Sequence, residues 1–333
     1  GARFYAPNGD SFLVRTSRPA AYVIDREVFD KELWKKAEEK GVDVLLNSRT
    51  LEIQLKKDGA IIRFKNVVTG AVETCRCNVA VLATGASFYL HKALGLEAPS
   101  RKHILPAIQY ELENVELDRS TVELYLGSKR SIGFFSWVIP TNRNGARIGL
   151  ATKVHVPAKA LDRFFRELIE RKEGMKGARV VEKFGGLVLT SGPVGRLYRG
   201  RLLLVGDAAG QVKPTTGGGV VFGMLSAKLA GEVAYLISSG TVSDGRPYQR
   251  VFEAKFKREF FIMKLMARAY QNVTDEELNK AFKIIKERGA HTKLVEGGDM
   301  DFQRGAIQSL FSASGLKLAM IALKGLFRSM FRF

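Results

Sequence analysis

The most constraining feature of this chain is the stretch RLLLVGDAAGQVKPTTGGGVVFG at residues 201–223. An apolar run leads into Gly-Asp, a polar bend follows, and the chain restarts with three consecutive glycines. Glycine is costly at the start of a helix, because it loses more backbone freedom on ordering than any other residue. The pattern therefore predicts a buried strand, a turn and a helix from about residue 217 to 237, built around a deliberately bare backbone.

Such a strand, turn and helix can form a cradle for an anionic cofactor. Asp207 follows the strand at its carboxyl end, where ligands bind on open α/β sheets, and can accept hydrogen bonds from ligand hydroxyls. Three glycines at 217–219 would let a flat ring system approach the backbone. The N–H groups and dipole of the following helix favour negative charge, such as that on the N1–C2=O edge of a reduced flavin. The alternative is a tight strand-to-helix connection without a ligand.

The segment before this motif predicts a mixed α/β organisation. DREVFDKELWKKAEEK predicts a helix from about Asp25 to Lys40 that ends at Gly41, and VDVLL then predicts a short buried strand. Alternating apolar and polar residues over 51–77, interrupted by Asp-Gly and Thr-Gly pairs, predict a three-stranded antiparallel meander. VAVLATG after the meander predicts a further buried strand.

The middle and the end of the chain differ from this first part. Strand-like runs such as TVELYLG, SIGFFSWVIP and ARIGLAT surround one helical stretch, ALDRFFRELIERKEG. They predict a sheet with a helix on it, inserted between two halves of another domain. After Gly240 the chain reads as helical and basic. The predicted divisions are 1–103 with 186–243, then 104–185, then 244–333.

The formal charge of +19 favours a polyanionic partner, either nucleic acid or an anionic membrane surface, unless it serves only solubility.

Cys75 and Cys77 would share one strand face, but two thiols without a nearby histidine make a poor metal site, so we predict no metal site there. The scarcity of cysteine fits a reducing cytosol.

Three motifs carry a resemblance to a known family. VGDAAGQVKPTTGGGV resembles the second flavin-binding motif of the geranylgeranyl reductase family, within the flavoprotein group that includes the aromatic hydroxylases. DREVFD resembles the Arg-x-x-Phe-Asp signature whose arginine reaches FAD. FSWVIP is similar to the aromatic-x-Trp-x-Phe-Pro segment of the family's substrate domain, with Phe135 and Ile139 where tyrosine and phenylalanine are usual.

The resemblance implies a fold class and a cofactor. The fold is an α/β FAD/NAD(P)-binding domain, Rossmann-like and of the glutathione-reductase type, split by an antiparallel-sheet substrate domain and followed by a C-terminal helical tail. The implied FAD-binding residues are Arg26, Thr50, Gly206, Asp207, Gly217, Gly218, Gly219 and Val220. The candidates for the substrate pocket are Phe134, Phe135, Trp137 and Pro140, and the alternative for the three aromatic residues is ordinary packing within the sheet.

Each implied cofactor residue has a place along FAD. Arg26 and Thr50 would lie on the adenosine side, Asp207 at the ribityl and pyrophosphate region, and Gly219 and Val220 at the isoalloxazine. Without the resemblance, Arg26 is a surface charge at a helix start, Thr50 a strand residue and Val220 a core residue.

The implied activity is the saturation of isoprenoid double bonds on a membrane lipid or its precursor. Hydride would pass from the reduced flavin to an alkene carbon, with electrons from NAD(P)H, ferredoxin or another donor. Tyr110, Tyr125 and His155 are the candidates for the proton donor. The alternatives are a flavin monooxygenase or halogenase, of whose Trp-x-Trp-x-Ile-Pro segment SWVIP keeps the later half, and a non-catalytic basic membrane-binding remnant of the fold.

Two departures from the family pattern bear on cofactor binding. The N-terminal G-x-G-x-x-G fingerprint of the family is absent from the sequence, and LATGAS at residues 82–87 replaces a more usual Asp-Gly pair. We therefore expect a piece of a longer protein that lacks the N-terminal βαβ unit and binds FAD poorly.

The C-terminal stretch 315–333, GLKLAMIALKGLFRSMFRF, predicts a helix for an anionic membrane surface. Lys317, Lys324, Arg328 and Arg332 fall in a narrow sector at 100° per residue, and apolar residues cover the remainder. This pattern predicts a cytoplasmic protein with peripheral membrane association. The alternative is a helix packed on the body with its lysines in water. Nucleic acid ranks lower, since YQRVFEAKFKREFF mixes basic and aromatic residues without a recognised motif.

Overall fold

The structure is a computed structural model that describes residues 1–141, 144–153, 157–292 and 299–331. His155 and Arg332, which the sequence analysis singled out, lie outside these ranges. The strands within them are β1 Ala2–Tyr5, β2 Ser11–Val14, β3 Ser48–Lys56, β4 Gly59–Asn66, β5 Val72–Cys77, β6 Ala80–Leu82, β7 Ile104–Glu113, β8 Val122–Leu126, β9 Phe135–Pro140, β10 Gly145–Ala151, β11 Arg179–Leu189, β12 Tyr198–Arg199 and β13 Leu202–Leu204. The helices are α1 Arg26–Glu38, α2 Tyr89–Ala93, α3 Pro157–Arg171, α4 Val220–Ser238, α5 Arg246–Tyr270, α6 Asp275–Glu287 and α7 Arg304–Phe331.

The largest sheet has seven strands in the order β11-β7-β10-β9-β8-β1-β2, and only its β1–β8 pairing is parallel. Helix α3 covers one face with Leu161, Phe164 and Leu168, whose spacing places them on one side of the helix. Strands β1 and β2 belong to this sheet, although the sequence analysis assigned them to the FAD-binding part. The chain divisions at residues 103, 185 and 243 stay predictions.

The part that the sequence analysis assigned to FAD binding contains the smaller sheet β12-β13-β6, in which β13 runs parallel to β6. Leu202, Leu203 and Leu204 are fully buried, as the apolar run predicts. Helices α4 and α5 pack over this sheet and bury an aromatic cluster that includes Phe222, Phe252 and Phe260. The packing of α4 on this sheet therefore positions the start of α4 next to the end of β13.

The meander β3-β4-β5 forms as predicted, with antiparallel pairing throughout. Helix α1 also forms close to its predicted bounds, because the Asp25 side chain accepts hydrogen bonds from the N–H groups of Glu27 and Val28. The buried strand predicted after Gly41 is wrong. Residues 42–46 form no strand, and Leu45 is 62% exposed, because no strand of the described ranges pairs with them.

Among the residues that the structure describes, two helices, Val220–Ser238 and Arg304–Ser329, are long and apolar enough to cross a membrane by length and composition alone. The first is α4, which the sequence analysis took for a buried core helix. Its face with Phe222, Val233 and Ile237 is buried in the core, whereas Tyr235 on the opposite side is 73% exposed. The fold therefore uses α4 as a helix with one buried face.

Helix α7 packs against α5 and α6 and bends at Gly315, whose φ of 70° and ψ of −165° are not helical. Its buried Leu318 joins Phe12 and Phe282 in a cluster that attaches the C-terminal helices to β2. Arg328 does not lie on the exposed basic face that the sequence predicted. It turns inward and donates to both carboxylate oxygens of Glu277 on α6, at 2.6 and 2.9 Å.

The Glu277–Arg328 ion pair makes the docking of α7 dependent on pH. Hydrogen bonds from Arg328, and one from the Thr274 backbone, lower the pKa of Glu277 from about 4.5 to about 2. A carboxyl group with a lowered pKa stabilises the fold above its unfolded pKa, and this stabilisation is lost as the pH falls toward 2. Glu277→Gln keeps an acceptor for the Thr274 N–H and removes the charge.

We expect Glu277→Gln to lower the melting temperature at pH 7 by roughly 2 °C. The difference from wild type should narrow below pH 4.5, as the wild-type carboxylate takes up its proton. Glu287→Gln is the matched control, since Glu287 lies on the same helix in an exposed pair with Lys283 at 3.8 Å. An equal effect of both variants, or a difference that persists at low pH, would contradict the assignment. Thermal melts followed by circular dichroism measure it.

Candidate functional site

The turn after β13 is held by a buried chain of hydrogen bonds. The Gly206 N–H donates to Gln211 Oε1 at 2.8 Å, Gln211 Nε2 donates to the Tyr248 hydroxyl at 2.8 Å, and that hydroxyl donates to the Leu204 carbonyl at 2.9 Å. Gln211 and Tyr248 are fully buried, and burial raises the pKa of Tyr248 to about 12. The φ of +68° at Gly206 then directs the chain into the short 3₁₀ turn Gly206–Ala209.

Asp207 occupies this turn as a partly buried carboxylate. Burial raises its pKa, while the positive charge of Arg26 opposes that rise, so two of the predicted cofactor residues lie within electrostatic range of each other. No hydrogen bond from the described part of the chain reaches the Asp207 carboxylate, whereas Arg26 also donates to Asp30 at 3.1 Å. Asp207 is therefore a partly desolvated acceptor that a ligand hydroxyl can satisfy.

The three glycines are required by the packing of the chain on itself. A Cβ on Gly217 would lie 2.3 Å from Val188 Cγ1, and one on Gly218 would lie 2.8 Å from Lys213 Cε. A Cβ on Gly219 would lie 2.9 Å from Asp207 Oδ1. The sequence analysis attributed the bare backbone to a ring system above it, and the structure adds that a side chain here would collide with other residues of the chain unless those residues moved.

The glycine packing brings the start of α4 beside Asp207. Gly219 precedes the helix, and no side chain caps its first turn. The unsatisfied N–H groups of a helix N-terminus favour an electronegative group. An uncapped terminus and an unsatisfied carboxylate on one turn fit the N1–C2=O edge and the hydroxylated ribityl chain of FAD.

Lys213 lies under the glycine loop and connects it to the segment before α7. Its side chain is only 6% exposed, and its Nζ donates to Asp301 Oδ1 at 2.6 Å and to the Met300 carbonyl at 3.2 Å. Phe302 packs on Phe222 of α4 with ring centroids 5.3 Å apart. Residues 299–302 therefore support the loop and the start of α4. The sequence analysis missed this support, because the partners are almost ninety positions apart.

Thr50 lies on β3, and its carbonyl oxygen accepts a hydrogen bond from the Tyr89 hydroxyl. No hydrogen bond within the described ranges joins Thr50 to the turn at 206–220. The proposed contact of Thr50 with the adenosine side of FAD stays a prediction.

Phe134, Phe135 and Trp137 form a contiguous aromatic patch. The rings of Phe134 and Phe135 stack at 4.2 Å, and Trp137 meets Phe135 edge-on at 6.2 Å. Trp137 lies directly over Gly149, where a Cβ would be 2.4 Å from its ring. Val188 packs against the buried cluster of Leu105, Phe134 and Ala151 and also lies against Gly217, so the patch is connected to the glycine loop through this cluster.

Pro140 does not join the aromatic patch. Side chains alternate along a strand, and Pro140 lies three positions beyond Trp137 on β9, with the buried set that includes Val138. Val138 packs in the cluster under α3, on the opposite face of the large sheet. The structure therefore separates Pro140 from the other three predicted substrate residues.

A chain of polar contacts orients Trp137. Its indole N–H donates to Gln109 at 3.1 Å, Gln109 donates to Glu111 at 3.0 Å, and Arg147 pairs with Glu111 at 2.9 Å. Arg147 also donates to the Ile24 carbonyl at 3.1 Å, just before α1. Sequence reasoning missed these residues, because ordinary strand alternation already accounts for polar residues on one sheet face.

Two of the three candidate proton donors lie away from the aromatic patch. Tyr110 and Tyr125 are buried in the cluster under α3, on the opposite sheet face from Trp137. Burial and a 2.6 Å hydrogen bond to Asp162 raise the pKa of Tyr110 to about 12. Burial, together with Glu123, raises the pKa of Tyr125 as well. Neither tyrosine is placed to deliver a proton beside the glycine loop.

Comparison of the sequence with known proteins matches this chain to FAD-binding proteins. Residues 3–238 match the FAD binding domain family. Digeranylgeranylglycerophospholipid reductase 2 of Methanothermobacter thermautotrophicus is 30% identical over 293 residues, covering 84% of this chain and 73% of that protein. Digeranylgeranylglycerophospholipid reductase 1 of Methanosphaera stadtmanae is 28% identical over 291 residues, covering 85% and 71%.

Solved structures with a similar fold include a reductase-like protein as well. The geranylgeranyl bacteriochlorophyll reductase-like protein of Thermoplasma acidophilum is 25% identical, with a TM-score of 0.78 over 99% of this chain and 82% of that one. A myxobacterial chondrochloren halogenase is 20% identical, with a TM-score of 0.65 over 96% of this chain and 80% of that one, and shares the fold. The chain belongs to the geranylgeranyl reductase family of FAD-binding proteins.

Proposed function

We propose that this protein is an FAD-dependent reductase that saturates the isoprenoid double bonds of a membrane lipid or a lipid precursor. The observation that carries the proposal is the adjacency of the Asp207 turn, the uncapped start of α4 and the aromatic patch, since Val188 lies against Gly217 and packs on the buried cluster that contains Phe134. When bound, FAD supplies hydride chemistry, and the protein supplies binding and orientation.

The residues around the site have separate tasks. With FAD bound, Asp207 would accept hydrogen bonds from the ribityl hydroxyls, and the start of α4 would stabilise negative charge on the flavin. Phe135 and Trp137 are half-buried and offer flat apolar surfaces to a polyprenyl chain. This apolar surface excludes water beside the glycine loop, and Gln109 fixes the tilt of the Trp137 ring.

The reaction is tested with the FAD-loaded protein, chemically reduced without oxygen and mixed with vesicles of a geranylgeranyl phospholipid. Mass spectrometry should show the stepwise addition of two hydrogen atoms per double bond. Trp137→Ala should lower kcat/KM by about tenfold or more, because the chain loses its principal flat contact. Phe261→Ala, which removes an aromatic that is 60% exposed on α5, should leave it unchanged.

The same assay separates the alternatives. Hydroxylated or halogenated lipid formed with oxygen consumption would assign the protein to the monooxygenases or halogenases, several of which share its fold. Unchanged lipid in the presence of bound, reduced flavin would exclude the proposed reaction. Adding NAD(P)H or a reduced ferredoxin in place of the chemical reductant then identifies the electron donor.

Replacement of Asp207 should change affinity and stability in opposite directions. Asp207→Asn should weaken FAD binding by about tenfold or more, since hydrogen bonds to a charged group contribute roughly 1.5–3 kcal/mol. Without FAD, the variant should melt at a higher temperature than wild type at pH 7. An acid whose folded pKa is raised destabilises the fold when ionised, and this penalty disappears as the pH falls below the unfolded pKa.

Flavin fluorescence titration and thermal melts at pH 7 and near pH 4 measure the two effects of Asp207→Asn. Asp43→Asn, an exposed carboxylate beyond α1, is the control and should change neither. A loss of stability at neutral pH in Asp207→Asn would show that the carboxylate is structural, and unchanged FAD affinity would remove it from the site.

We further propose that α7 binds an anionic membrane surface, which would make this a peripheral membrane protein. Leu316, Met320, Leu323 and Phe327 are 75, 47, 60 and 62% exposed, at spacings that place them along one side of the helix. Lys317 and Lys324 are exposed along one edge of this apolar side. Apolar side chains flanked by lysines suit insertion among anionic head groups.

The membrane proposal is tested by sedimentation with vesicles that contain anionic lipid. Leu316→Ser with Leu323→Ser should lower the partition coefficient by about tenfold or more, because each exposed leucine contributes on the order of 1 kcal/mol on insertion. Lys317→Gln with Lys324→Gln should reduce the preference for anionic over neutral vesicles. Val68→Ser, at an exposed turn of the meander, is the control. Equal partition of all variants would contradict the proposal.

A further inference from the structure

A polar cavity lies beside the aromatic patch, and its lining residues have no part in the function proposed above. Its volume is about 230 Å³, it is partly open to solvent, and it is lined by residues from 97–103, from the crossing segment 190–194 and from the end of α5. None of the predicted cofactor or substrate residues lines it. Small-molecule sites span roughly 300–1,000 Å³, so this cavity suits one small group rather than a flavin.

The cavity is rich in positive charge. Lys264 and Arg268, one helical turn apart on α5, line it together with His103. The Lys264 ammonium donates to the Pro193 carbonyl at 3.0 Å, which uses one of its three N–H bonds. Burial and Arg268 lower the pKa of Lys264, and burial with Arg268, Lys153 and other cations lowers that of His103. These positively charged groups therefore repel one another in the folded protein.

The carboxylate that lines the cavity offsets only part of this charge, because Glu97 opposes the fall in the pKa of Lys264. Glu97 accepts a 2.7 Å hydrogen bond from the Gly195 N–H, and no ion pair from the described residues to Lys264 or Arg268 accompanies it. Neutral donors are also present. The Ser191 hydroxyl and His103 Nδ1 are buried without a hydrogen-bond partner in the described part of the chain. Buried polar atoms of this kind are normally satisfied by a ligand or by water.

The cavity is joined to the aromatic patch through adjacent residues. Tyr270, next to the cavity residue Gln271, donates to the Phe134 carbonyl at 2.5 Å. Leu105, two residues after His103, packs against Phe134. Thr190 follows Val188 and Leu189, at the end of the strand that contacts the glycine loop. A charged group in the cavity and an apolar chain on the aromatic patch could therefore belong to one ligand.

We propose that this cavity binds a phosphate group, held by Lys264 and Arg268 with hydrogen bonds from Ser191 and His103. Guanidinium and ammonium groups with several convergent donors are the chemistry that recognises phosphate oxygens. The phosphate can come from a phospholipid head group or from a soluble phosphate compound. Binding needs neither flavin nor turnover, so this inference can succeed or fail independently of the proposed reaction.

Calorimetric titration at constant ionic strength tests the site with inorganic phosphate and glycerol phosphate. We expect saturable binding at one site, weakened by about tenfold or more in Arg268→Ala. Arg258→Ala is the matched control, because it removes the same exposed side chain from the same helix about 15 Å away. Ser191→Ala, which removes one hydroxyl without changing the charge, should also weaken binding.

The outcomes separate the sources of the phosphate and expose a failure. Tighter binding of glycerol phosphate than of inorganic phosphate, with competition by phospholipid vesicles, supports a lipid head group. Tighter binding of inorganic phosphate, without such competition, supports a soluble ligand. Absence of saturable binding would overturn the proposal. Equal weakening by Arg258→Ala and Arg268→Ala would overturn it too, because the binding would then depend only on the net charge of +19.

Discussion

The buried hydrogen-bond chain from Gly206 through Gln211 and Tyr248 to Leu204 is the constraint on which the rest of the site depends. It connects the end of β13, the turn and α5 through groups that have no access to water. Buried polar groups that lose their partners are expensive, so this chain permits only one geometry for the turn. The backbone of Asp207 is held in this turn, and its carboxylate lies beside the start of α4.

The ionised carboxylate of Asp207 destabilises the fold locally, and the rigid hydrogen-bonded turn holds it in place. Its raised pKa means that the ionised form is disfavoured where it sits, with the charge of Arg26 only partly compensating. A purely structural aspartate would have acquired a hydrogen-bond donor, as Asp118 has from Ser120 and Thr121. An acceptor left unsatisfied beside an uncapped helix start is instead suited to a ligand that brings hydroxyl groups.

Much of this arrangement could be predicted from the sequence, where the signal is local. The strand, turn and helix around residues 201–223 and the meander follow from apolar patterning and turn residues at short range. The failed strand after Gly41 shows the limit of such reasoning. Apolar residues make a buried strand only when a partner strand is present, and the pattern of VDVLL contains no information about a partner. The reason for the glycines was also beyond reach, because Val188 approaches Gly217 from another part of the fold.

The parts of the site that the sequence did not predict are long-range polar contacts. Lys213 with Asp301, and Arg147 with Glu111 and Ile24, join segments tens of residues or more apart, and each looks like an ordinary surface charge when taken alone. The inward turn of Arg328 has the same origin, since Glu277 already accepts the capping hydrogen bond of α6 and its second interaction fixes Arg328. This pair directs Arg328, whose side chain is 37% exposed, toward α6, so the outer side of α7 is formed by its apolar residues and two lysines. The same ion pair that anchors α7 to the body therefore also sets which side of the helix is available to a membrane.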